Sequence, residues 1–261
     1  MENNRLNIAL IQANLAWEDI SLNTTRFSDK FKEVEGEQHI ILLPELFTTG
    51  FTMNAMRFAE KMDGRTVDWL RHAAVRFKFA IGGSIIIEED GKFFNRFVFV
   101  TPSGDVYHYD KRHLFRMGNE NSVYTFGTKR VIVNYLGWRV LLTTCYDLRF
   151  PVWSRNRNDY DLLVNVANFP EARREVWSSL LKARAIENQC YVAAVNCVGT
   201  DGMGINYSGD SQIINPKGQV VALGKEYRTQ IIYQTISMDE LVEFRQKFPV
   251  HLDADDFSIS T

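Results

Sequence analysis

The residues with the clearest capacity for chemistry lie in the segment 143–151, TTCYDLRFP, where Cys145 ends an apolar run. The run 140–143 predicts a β-strand, and Pro151 is typical of the first turn of a helix. A cysteine between a strand and a helix start is expected to be exposed, close to unpaired backbone N–H groups and the positive end of a helix dipole. Such surroundings favour a thiolate and can hold an oxyanion. The segment therefore predicts a nucleophile.

A structural role is the alternative for any cysteine, because free cysteines are usually buried and pack as small hydrophobic side chains. Cys190 and Cys197 fit this alternative, since both lie in the apolar stretch 190–197. Cys145 does not fit it, because polar and charged residues crowd one side of it. We therefore interpret Cys145 as the reactive cysteine and the other two as core residues.

Two charged residues also follow predicted strands. Glu45 comes after the apolar run 39–43, and Lys111 lies just after another β segment. In α/β sheets, ligands bind beyond the carboxyl ends of strands, so Glu45, Lys111 and Cys145 form a candidate constellation. Spacing alone, however, favours structural explanations, namely a solvated lysine beside Arg112 and a carboxylate at a helix start.

The composition is that of an ordinary globular enzyme. The chain has 261 residues, 45% of them hydrophobic, and a net charge of −2, so we expect no general attraction to nucleic acid or membranes. The first residues do not resemble a secretory signal, and no apolar run approaches the roughly 20 residues of a membrane helix. The three cysteines lack paired spacing, and the five histidines show no metal-ligand spacing. We expect a cytoplasmic protein that binds a small-molecule substrate and uses no cofactor.

Predicted strands and helices alternate along the chain, which indicates an α/β fold. The expected strands are 6–12, 39–43, 80–87, 93–101, 131–135, 139–143, 161–166, 191–198 and 211–223. The expected helices are 22–34, 67–77, 172–188 and 238–247. The segments 99–106 and 213–220 share a Pro-x-Gly pattern, which β-turn chemistry explains and which also suits two similar βα halves. No linker divides the sequence, so we predict one domain over residues 1–261.

Three motifs together resemble the carbon–nitrogen hydrolase (nitrilase) superfamily, namely LPE at 43–45, DKRHLF at 110–115 and CYDLRFP at 145–151. The resemblance extends over essentially the whole chain. A closer likeness to the omega-amidase branch rests on the segments 48–51, 168–173, 183–188 and 244–249. The resemblance implies a four-layer α-β-β-α sandwich of two similar βα halves, and a homodimer or higher homo-oligomer.

The resemblance also implies a Glu–Lys–Cys triad, which in this sequence is Glu45, Lys111 and Cys145. In such a site the cysteine attacks an amide carbonyl as a thiolate, and Glu45 serves as general base and acid. Lys111 and the backbone N–H of Tyr146 would hold the oxyanion. In this family a second glutamate supports the lysine, and Glu120 occupies the matching stretch.

Candidate substrate-binding residues follow from side-chain chemistry. A dicarboxylic acid monoamide needs a cation for its distal carboxylate, and Arg173 is the candidate, with Arg174 as the alternative. The alternative for both arginines is a solvent-facing position at a helix start, without contact to substrate. Arg149 is expected to brace the nucleophile turn through an ion pair. Aromatic side chains that are candidates for an apolar pocket, although such residues more often belong to the core, are Phe47, Phe51, Tyr146 and Phe169.

The expected function is that of a thiol amidase, which hydrolyses the terminal amide of 2-oxoglutaramate or 2-oxosuccinamate. An N-carbamoyl amino acid amidohydrolase, or another aliphatic amidase with the same chemistry, is the alternative. A nitrilase is disfavoured because sequences of that branch have Cys-Trp-Glu at the nucleophile, whereas this chain has CYD at 145–147. A catalytically idle binding module is disfavoured because all three catalytic residue types are present, and a nucleotide-binding protein because no glycine-rich phosphate loop occurs.

Overall fold

The computed structural model describes residues 4–259 of the chain. Residues 1–3 and 260–261, which the single-domain prediction also spans, lie outside the described residues. The strands are β1 Arg5–Gln12, β2 Ile40–Leu42, β3 Ala80–Glu89, β4 Lys92–Val100, β5 Val106–Asp110, β6 Ile132–Tyr135, β7 Trp138–Thr144, β8 Leu162–Ala167, β9 Tyr191–Asn196, β10 Val198–Thr200, β11 Asn206–Ser208, β12 Gln212–Ile214, β13 Val220–Leu223 and β14 Gln230–Ser237. The helices are α1 Ile20–Lys32, α2 Ala55–Phe58, α3 Arg65–Phe77, α4 Glu120–Val123, α5 Pro151–Ser154, α6 Arg174–Asn188 and α7 Met238–Lys247. Short 3₁₀ helices are Arg116–Gly118, Cys145–Arg149, Glu171–Arg173 and Val250–Asp253.

Within residues 4–259 the long strands form two six-stranded sheets with the same internal pattern. The orders are β14-β1-β2-β3-β4-β5 and β13-β12-β9-β8-β7-β6. Each sheet has three neighbouring parallel strands, β1–β2–β3 or β7–β8–β9, followed by two antiparallel strands. An antiparallel strand, β14 or β6, closes the other edge. The two halves therefore repeat one topology, as the sequence resemblance implies.

Strand β1 shows why the central strands read as continuous apolar runs. Leu6, Ile8 and Leu10 belong to the buried cluster between the two sheets, while Ala9 and Ile11 belong to the cluster under the helices. Because successive side chains of a strand point to opposite faces, a strand that is covered on both faces needs apolar residues at every position.

The sheets and helices stack in four layers. Side chains of both sheets share the central cluster, among them Leu42 from β2 and Val140 from β7. Helices α1 and α3 cover the outer face of the first sheet with side chains such as Phe27 and Leu70. Helix α6 covers the outer face of the second sheet with side chains such as Trp177. This arrangement confirms the predicted α-β-β-α sandwich.

The predicted elements are present with shifted bounds. Helix α1 begins at Ile20 rather than at residue 22, because the Asp19 side chain accepts a 2.8 Å hydrogen bond from the N–H of Leu22 and caps the helix. The predicted strand 211–223 is interrupted by a turn, in which the N–H of Gly218 donates to the carbonyl of Asn215. The similar Pro-x-Gly segment joins β4 to β5 through a corresponding turn. Both turns connect the last two strands at one edge of a sheet.

No helix among residues 4–259 combines the length and the apolar character that a membrane span requires. Over the same residues, no cluster of three or more His, Cys, Asp and Glu side chains is arranged to hold a metal ion. All three cysteines are free and buried.

Candidate active site

Cys145 lies at the junction predicted from the sequence. Strand β7 ends at Thr144, and Cys145 begins the 3₁₀ helix Cys145–Arg149 with a positive φ of 44°. A left-handed conformation is uncommon for a residue with a Cβ, and it turns the chain sharply at the nucleophile. Contrary to the expectation, Cys145 is only 8% exposed, because helix α6 and strand β8 pack around it. Its side chain forms part of the wall of a cavity.

The sharp turn at the cysteine is held by a buried carboxylate. One oxygen of Asp147 accepts from the N–H of Thr144 at 3.0 Å and from the hydroxyl of Tyr109 at 2.7 Å. The other oxygen accepts from the N–H of His113 at 2.9 Å, and the His113 ring nitrogen Nδ1 lies 2.8 Å from it. The carboxylate thus joins the nucleophile turn to the loop after β5. Asp147 belongs to the sequence motif 145–151, but the motif alone does not reveal this bracing role.

The expectation that Arg149 braces this turn is wrong. Arg149 is exposed and lines the cavity, and within residues 4–259 it forms no ion pair. The bracing arginine is Arg184 of α6, which is buried, pairs with Glu187 and donates a 2.5 Å hydrogen bond to the carbonyl of Leu148. A buried guanidinium on a packed helix can hold a backbone carbonyl in place, whereas a side chain at the cavity surface is available to a ligand.

Three of the predicted charged residues meet in one buried cluster. Glu45 follows β2, Lys111 follows β5 and Glu120 begins α4. The Nζ atom of Lys111 lies 2.7 Å from Oε1 of Glu45, and 3.0 and 2.9 Å from the two oxygens of Glu120. All three residues are at most 1% exposed. A buried ammonium between two carboxylates is held by strong electrostatic attraction in this poorly solvated setting, but its single positive charge faces two negative charges.

Two asparagines that the sequence analysis did not assign complete this cluster. Asn168 donates its backbone N–H to Oε2 of Glu45 at 2.9 Å and its side-chain amide to the Glu45 carbonyl at 2.8 Å. The amide of Asn95 donates to both Glu45 and Glu120. The available signal for Asn95 was an amide, beside Arg96, in a strand whose other interior positions are apolar or aromatic.

The protonation states follow from burial and from neighbouring charges. Burial raises the pKa of the Cys145 thiol well above its ordinary value, the Glu45 carboxylate raises it further, and Lys111 acts in the opposite direction. The resting nucleophile is therefore a thiol, which corrects the expectation of a thiolate. Burial disfavours the charged form of Lys111, but Glu120 and Glu45 outweigh burial and raise its pKa, so it stays an ammonium. Burial also raises the pKa of Glu120.

A cavity of about 790 Å³ opens beside this cluster. Cys145 and Lys111 reach it, together with Phe51, Tyr146 and Phe169 from the set of predicted aromatic residues. The Phe51 ring lies over Lys111, with its centroid 5.3 Å from Nζ. The cavity lining is largely apolar and includes the methionine side chains Met53, Met117 and Met203.

Phe47 does not line this cavity, although the sequence analysis made it a candidate. It is fully buried in the cluster under α1 and α3, where its ring contacts Phe27 edge-on at 5.5 Å. The difference from Phe51 arises because the chain turns at positions 46–50, where Leu46 and Gly50 both have positive φ. Phe47 therefore points into the helix-covered core and Phe51 into the cavity.

The two candidate arginines at the start of α6 differ in their surroundings. Arg173 lines the cavity, with its guanidinium 5.0 Å from the centroid of the Phe115 ring. Arg174 does not, because it is paired with Asp210 and Glu226, each at 2.7 Å. The structure therefore removes Arg174 as a candidate and adds Arg149 as a second arginine at the cavity.

Comparison with known proteins agrees with this geometry. The sequence model of the family "Carbon-nitrogen hydrolase" matches residues 7–246. This match covers most of the chain, so the protein belongs to the carbon–nitrogen hydrolase family. A solved CN-hydrolase superfamily protein of Xanthomonas campestris, described as having an arsenic adduct in its active site, has a TM-score of 0.96 and 43% identity, over 99% of this chain and 100% of that chain.

Curated relatives include amidases that match over nearly their whole length. The Omega-amidase YafV of Escherichia coli (strain K12) is 46% identical over 97% of this chain and 98% of its own. The 2-oxoglutaramate amidase of Bacillus subtilis (strain 168) is 31% identical over 94% of this chain and 96% of its own. Family and relatives together indicate that the protein is an amidase.

Proposed function

We propose that this protein is an omega-amidase, which hydrolyses the terminal amide of 2-oxoglutaramate or 2-oxosuccinamate to ammonia and the 2-oxo dicarboxylate. The observation that carries the proposal is the Cys145 thiol at a cavity, next to the buried Glu45–Lys111–Glu120 cluster. The names of the Escherichia coli and Bacillus subtilis relatives support the substrate class.

The acylation half of the reaction begins with proton transfer from Cys145 to Glu45. The sulfur then attacks the amide carbon, and the carbonyl oxygen becomes an oxyanion. The Lys111 ammonium and the backbone N–H of Tyr146 in the first turn of the 3₁₀ helix stabilise this oxyanion, since the first N–H groups of a helix have no partner within it. Glu45 returns the proton to the nitrogen, the C–N bond breaks, and ammonia leaves a thioester on Cys145.

The deacylation half uses the same groups in reverse. Glu45 takes a proton from a water molecule, whose oxygen attacks the thioester carbon. The second tetrahedral oxyanion again rests between Lys111 and the Tyr146 N–H. When the C–S bond breaks, the sulfur recovers the proton from Glu45, and the 2-oxo dicarboxylate is released. Glu120 remains a carboxylate throughout and keeps Lys111 charged and oriented.

The distal carboxylate of the substrate requires a cation, and two arginines are candidates for that role. Arg173 and Arg149 both line the cavity, and within residues 4–259 neither is engaged in an ion pair. We propose that Arg173 binds the carboxylate and that Arg149 adds to the positive potential at the same wall. A guanidinium can bind a carboxylate through two parallel hydrogen bonds, which also orients the substrate.

The arginine assignment predicts a selective loss of binding. Arg173→Ala is expected to raise the KM for 2-oxoglutaramate by about 10- to 100-fold, because a hydrogen bond to a charged group is lost. The KM for an uncharged aliphatic amide should be unchanged. Steady-state kinetics with both substrates measure the effect, and Arg174→Ala serves as the matched control. Equal losses on charged and uncharged amides would show that Arg173 has a structural role instead.

An ammonia-release assay tests the proposed activity. The purified enzyme would be offered 2-oxoglutaramate, 2-oxosuccinamate, aliphatic nitriles and N-carbamoyl amino acids. We expect turnover of the two 2-oxo acid amides, with a kcat/KM at least about tenfold above that for the other compounds, because only these amides present both the reacting amide and the distal carboxylate. Turnover of nitriles alone would contradict the proposal.

Another aliphatic amidase activity is the second candidate, and one observation favours it. The cavity of about 790 Å³ is larger than a five-carbon monoamide requires, and its lining includes Met53, Met117 and Met203. Methionine side chains adapt to apolar groups of varied shape. A higher kcat/KM for amides with longer apolar chains than for 2-oxoglutaramate would support this candidate over the first.

We further propose that the enzyme acts as a single domain in the cytoplasm, as a homodimer or higher homo-oligomer. The three free cysteines are consistent with a reducing compartment. Exposed apolar side chains on α5 and α6, such as Val152 and Ile186, are consistent with a subunit contact. Light scattering of the purified protein measures the mass of the assembly.

A further inference from the structure

Asn95 closes a ring of hydrogen bonds around the catalytic carboxylates. Its Nδ2 atom lies 2.8 Å from Oε1 of Glu45 and 3.0 Å from Oε1 of Glu120. The Nζ atom of Lys111 lies 2.7 and 3.0 Å from the same two oxygens. The two donor nitrogens, Nδ2 and Nζ, therefore alternate with the two acceptor oxygens in a closed circuit of four hydrogen bonds. The orientation of the Asn95 amide follows from this setting, since its carbonyl oxygen would be repelled by both carboxylates.

The pairing of β4 with β5 places Asn95 directly beside Lys111. Asn95 lies within β4, opposite Ile86 of β3, and is fully buried. Its backbone carbonyl accepts the N–H of Lys111 at 3.0 Å. Asn95 thus holds both the main chain of Lys111 and the carboxylates that Lys111 pairs with. Its side-chain Oδ1 has no hydrogen-bond partner among residues 4–259, so the donor half of the amide is the half in use.

A count of lone pairs shows what this ring does to Glu45. A carboxylate oxygen has two lone pairs. Oε1 of Glu45 accepts from both Asn95 and Lys111, so both of its lone pairs are in use. Oε2 accepts the backbone N–H of Asn168 at 2.9 Å, which leaves one lone pair for the thiol proton. The two oxygens of the catalytic base are therefore not equivalent.

We propose that Asn95 is a positioning residue, which occupies Oε1 of Glu45 and so makes Oε2 the atom that exchanges protons with Cys145. The inference rests on the proton transfer of the proposed function, but it concerns how the enzyme sets up that transfer and not which substrate it takes. Asn95 does not line the cavity, so it acts through Glu45 and not on the substrate.

Asn95 also supplies two neutral donors where charge is unbalanced. Glu45 and Glu120 share the single ammonium of Lys111, and like charges at such a distance raise the pKa of a carboxyl group. Three other titratable groups interact electrostatically with Glu45, namely Cys145, Cys197 and Tyr207, and Tyr124 interacts with both Glu45 and Glu120. Burial raises the pKa of each of these four groups above the neutral range. Burial raises the pKa of Glu120, Glu45 raises it further, and Lys111 and the Asn95 amide act in the opposite direction.

The test is the pH dependence of Asn95→Ala. Removal of this donor leaves the ionised Glu45–Glu120 pair less stabilised and should raise the pKa of Glu120 further, so the acid limb of kcat/KM should move to higher pH by about one unit. We expect kcat to fall by about 10- to 100-fold, because the base is no longer held in position, while KM changes by less than about threefold. The proposal would be overturned if Asn95→Ala kept the wild-type pH dependence of kcat/KM and differed only in a lower yield of folded enzyme.

Asn165→Ala is the matched control. Asn165 is also a fully buried strand asparagine whose Oδ1 lacks a partner, but its amide donates to Thr143 and not to the catalytic carboxylates. It should lower thermal stability to a similar degree without moving the acid limb. Asn95→Ser, which retains one donor, should give an intermediate shift, and it decides the question if Asn95→Ala does not fold.

A second readout does not depend on the substrate. The rate at which iodoacetamide alkylates Cys145, followed by peptide mass mapping, reports proton transfer from the thiol to Glu45. Its acid limb should move upward in Asn95→Ala as the limb of kcat/KM does. If wild-type enzyme fails to hydrolyse 2-oxoglutaramate but the alkylation shift is present, the proposed substrate is wrong and the role of Asn95 stands. Superimposed alkylation profiles would refute the role of Asn95, whatever the substrate.

Discussion

Cys145→Ala is expected to abolish ammonia release from 2-oxoglutaramate, with a loss on the order of 10⁴-fold or more. The sulfur is the atom that forms the thioester, and no other thiol faces the cavity among the described residues. The substitution removes one buried sulfur atom and adds no charge, so the fold should be retained. Steady-state kinetics measure the loss, and the thermal unfolding midpoint reports the fold.

Cys190→Ala is the matched control for this substitution. Cys190 is also buried, and its Sγ contacts the carbonyl of Arg184 at 3.8 Å, away from the cavity. Burial raises the pKa of Cys190 to about 12, which makes it an inert thiol. The control should keep the wild-type kcat and lose about 1 kcal/mol of stability from the missing packing. Turnover that survives Cys145→Ala would eliminate the thioester mechanism.

Lys111→Met is expected to cause both a large loss of activity and a large loss of stability. Without the ammonium, Glu45 and Glu120 remain buried with no cation between them. Breaking a buried ion pair on one side typically costs about 3–5 kcal/mol in the free energy of unfolding. Loss of one oxyanion donor alone costs about 10²–10³ in kcat. Chemical denaturation and steady-state kinetics measure the two effects separately.

The pH dependence of this variant has a definite sign. Without Lys111, Glu45 and Glu120 repel each other in a buried setting with no cation between them, so folding is disfavoured when both are ionised. The stability deficit against wild type should therefore be largest at neutral pH and should shrink as the pH falls toward about 4, where the groups take up protons.

A double variant separates the two roles of Lys111. Lys111→Met with Glu120→Gln removes one of the two unpaired carboxylates and should recover part of the lost stability. It should not recover activity, because the oxyanion donor is still absent. Activity that returns together with stability would mean that Lys111 serves the fold and takes no direct part in the reaction.

The sequence by itself determined the fold class and predicted Glu45, Lys111 and Cys145 as candidate site residues. Glu45 follows β2 and Cys145 follows β7, and each of these strands lies inside its sheet with at least one parallel neighbour. Such strands read as apolar runs, and ligands collect at their carboxyl ends, so a reactive residue just after such a run is visible locally. The three motifs in order then indicated the family, which the match over residues 7–246 confirms.

Only the tertiary structure decided which side chains these groups meet. Asn95 and Glu45 are 50 positions apart, and their hydrogen bond depends on the pairing of β3 with β4 and on the register between them. No local pattern distinguishes an asparagine that donates to a buried carboxylate, as Asn95 does, from one that donates to a neighbouring strand residue, as Asn165 does. Arg149 and Arg184 show the same limit, because whether an arginine braces a turn or faces a ligand depends on the helix packed against it.

The protonation of the nucleophile was also decided by packing. A cysteine at a helix start reads as a thiolate when the dipole alone is considered. In the folded chain, burial and the Glu45 carboxylate outweigh Lys111 and keep the thiol protonated. The sequence thus determined the residues capable of chemistry, because strand ends are encoded locally. The fold determined their charge states and partners, because desolvation and electrostatic energies depend on distances between segments far apart in the chain.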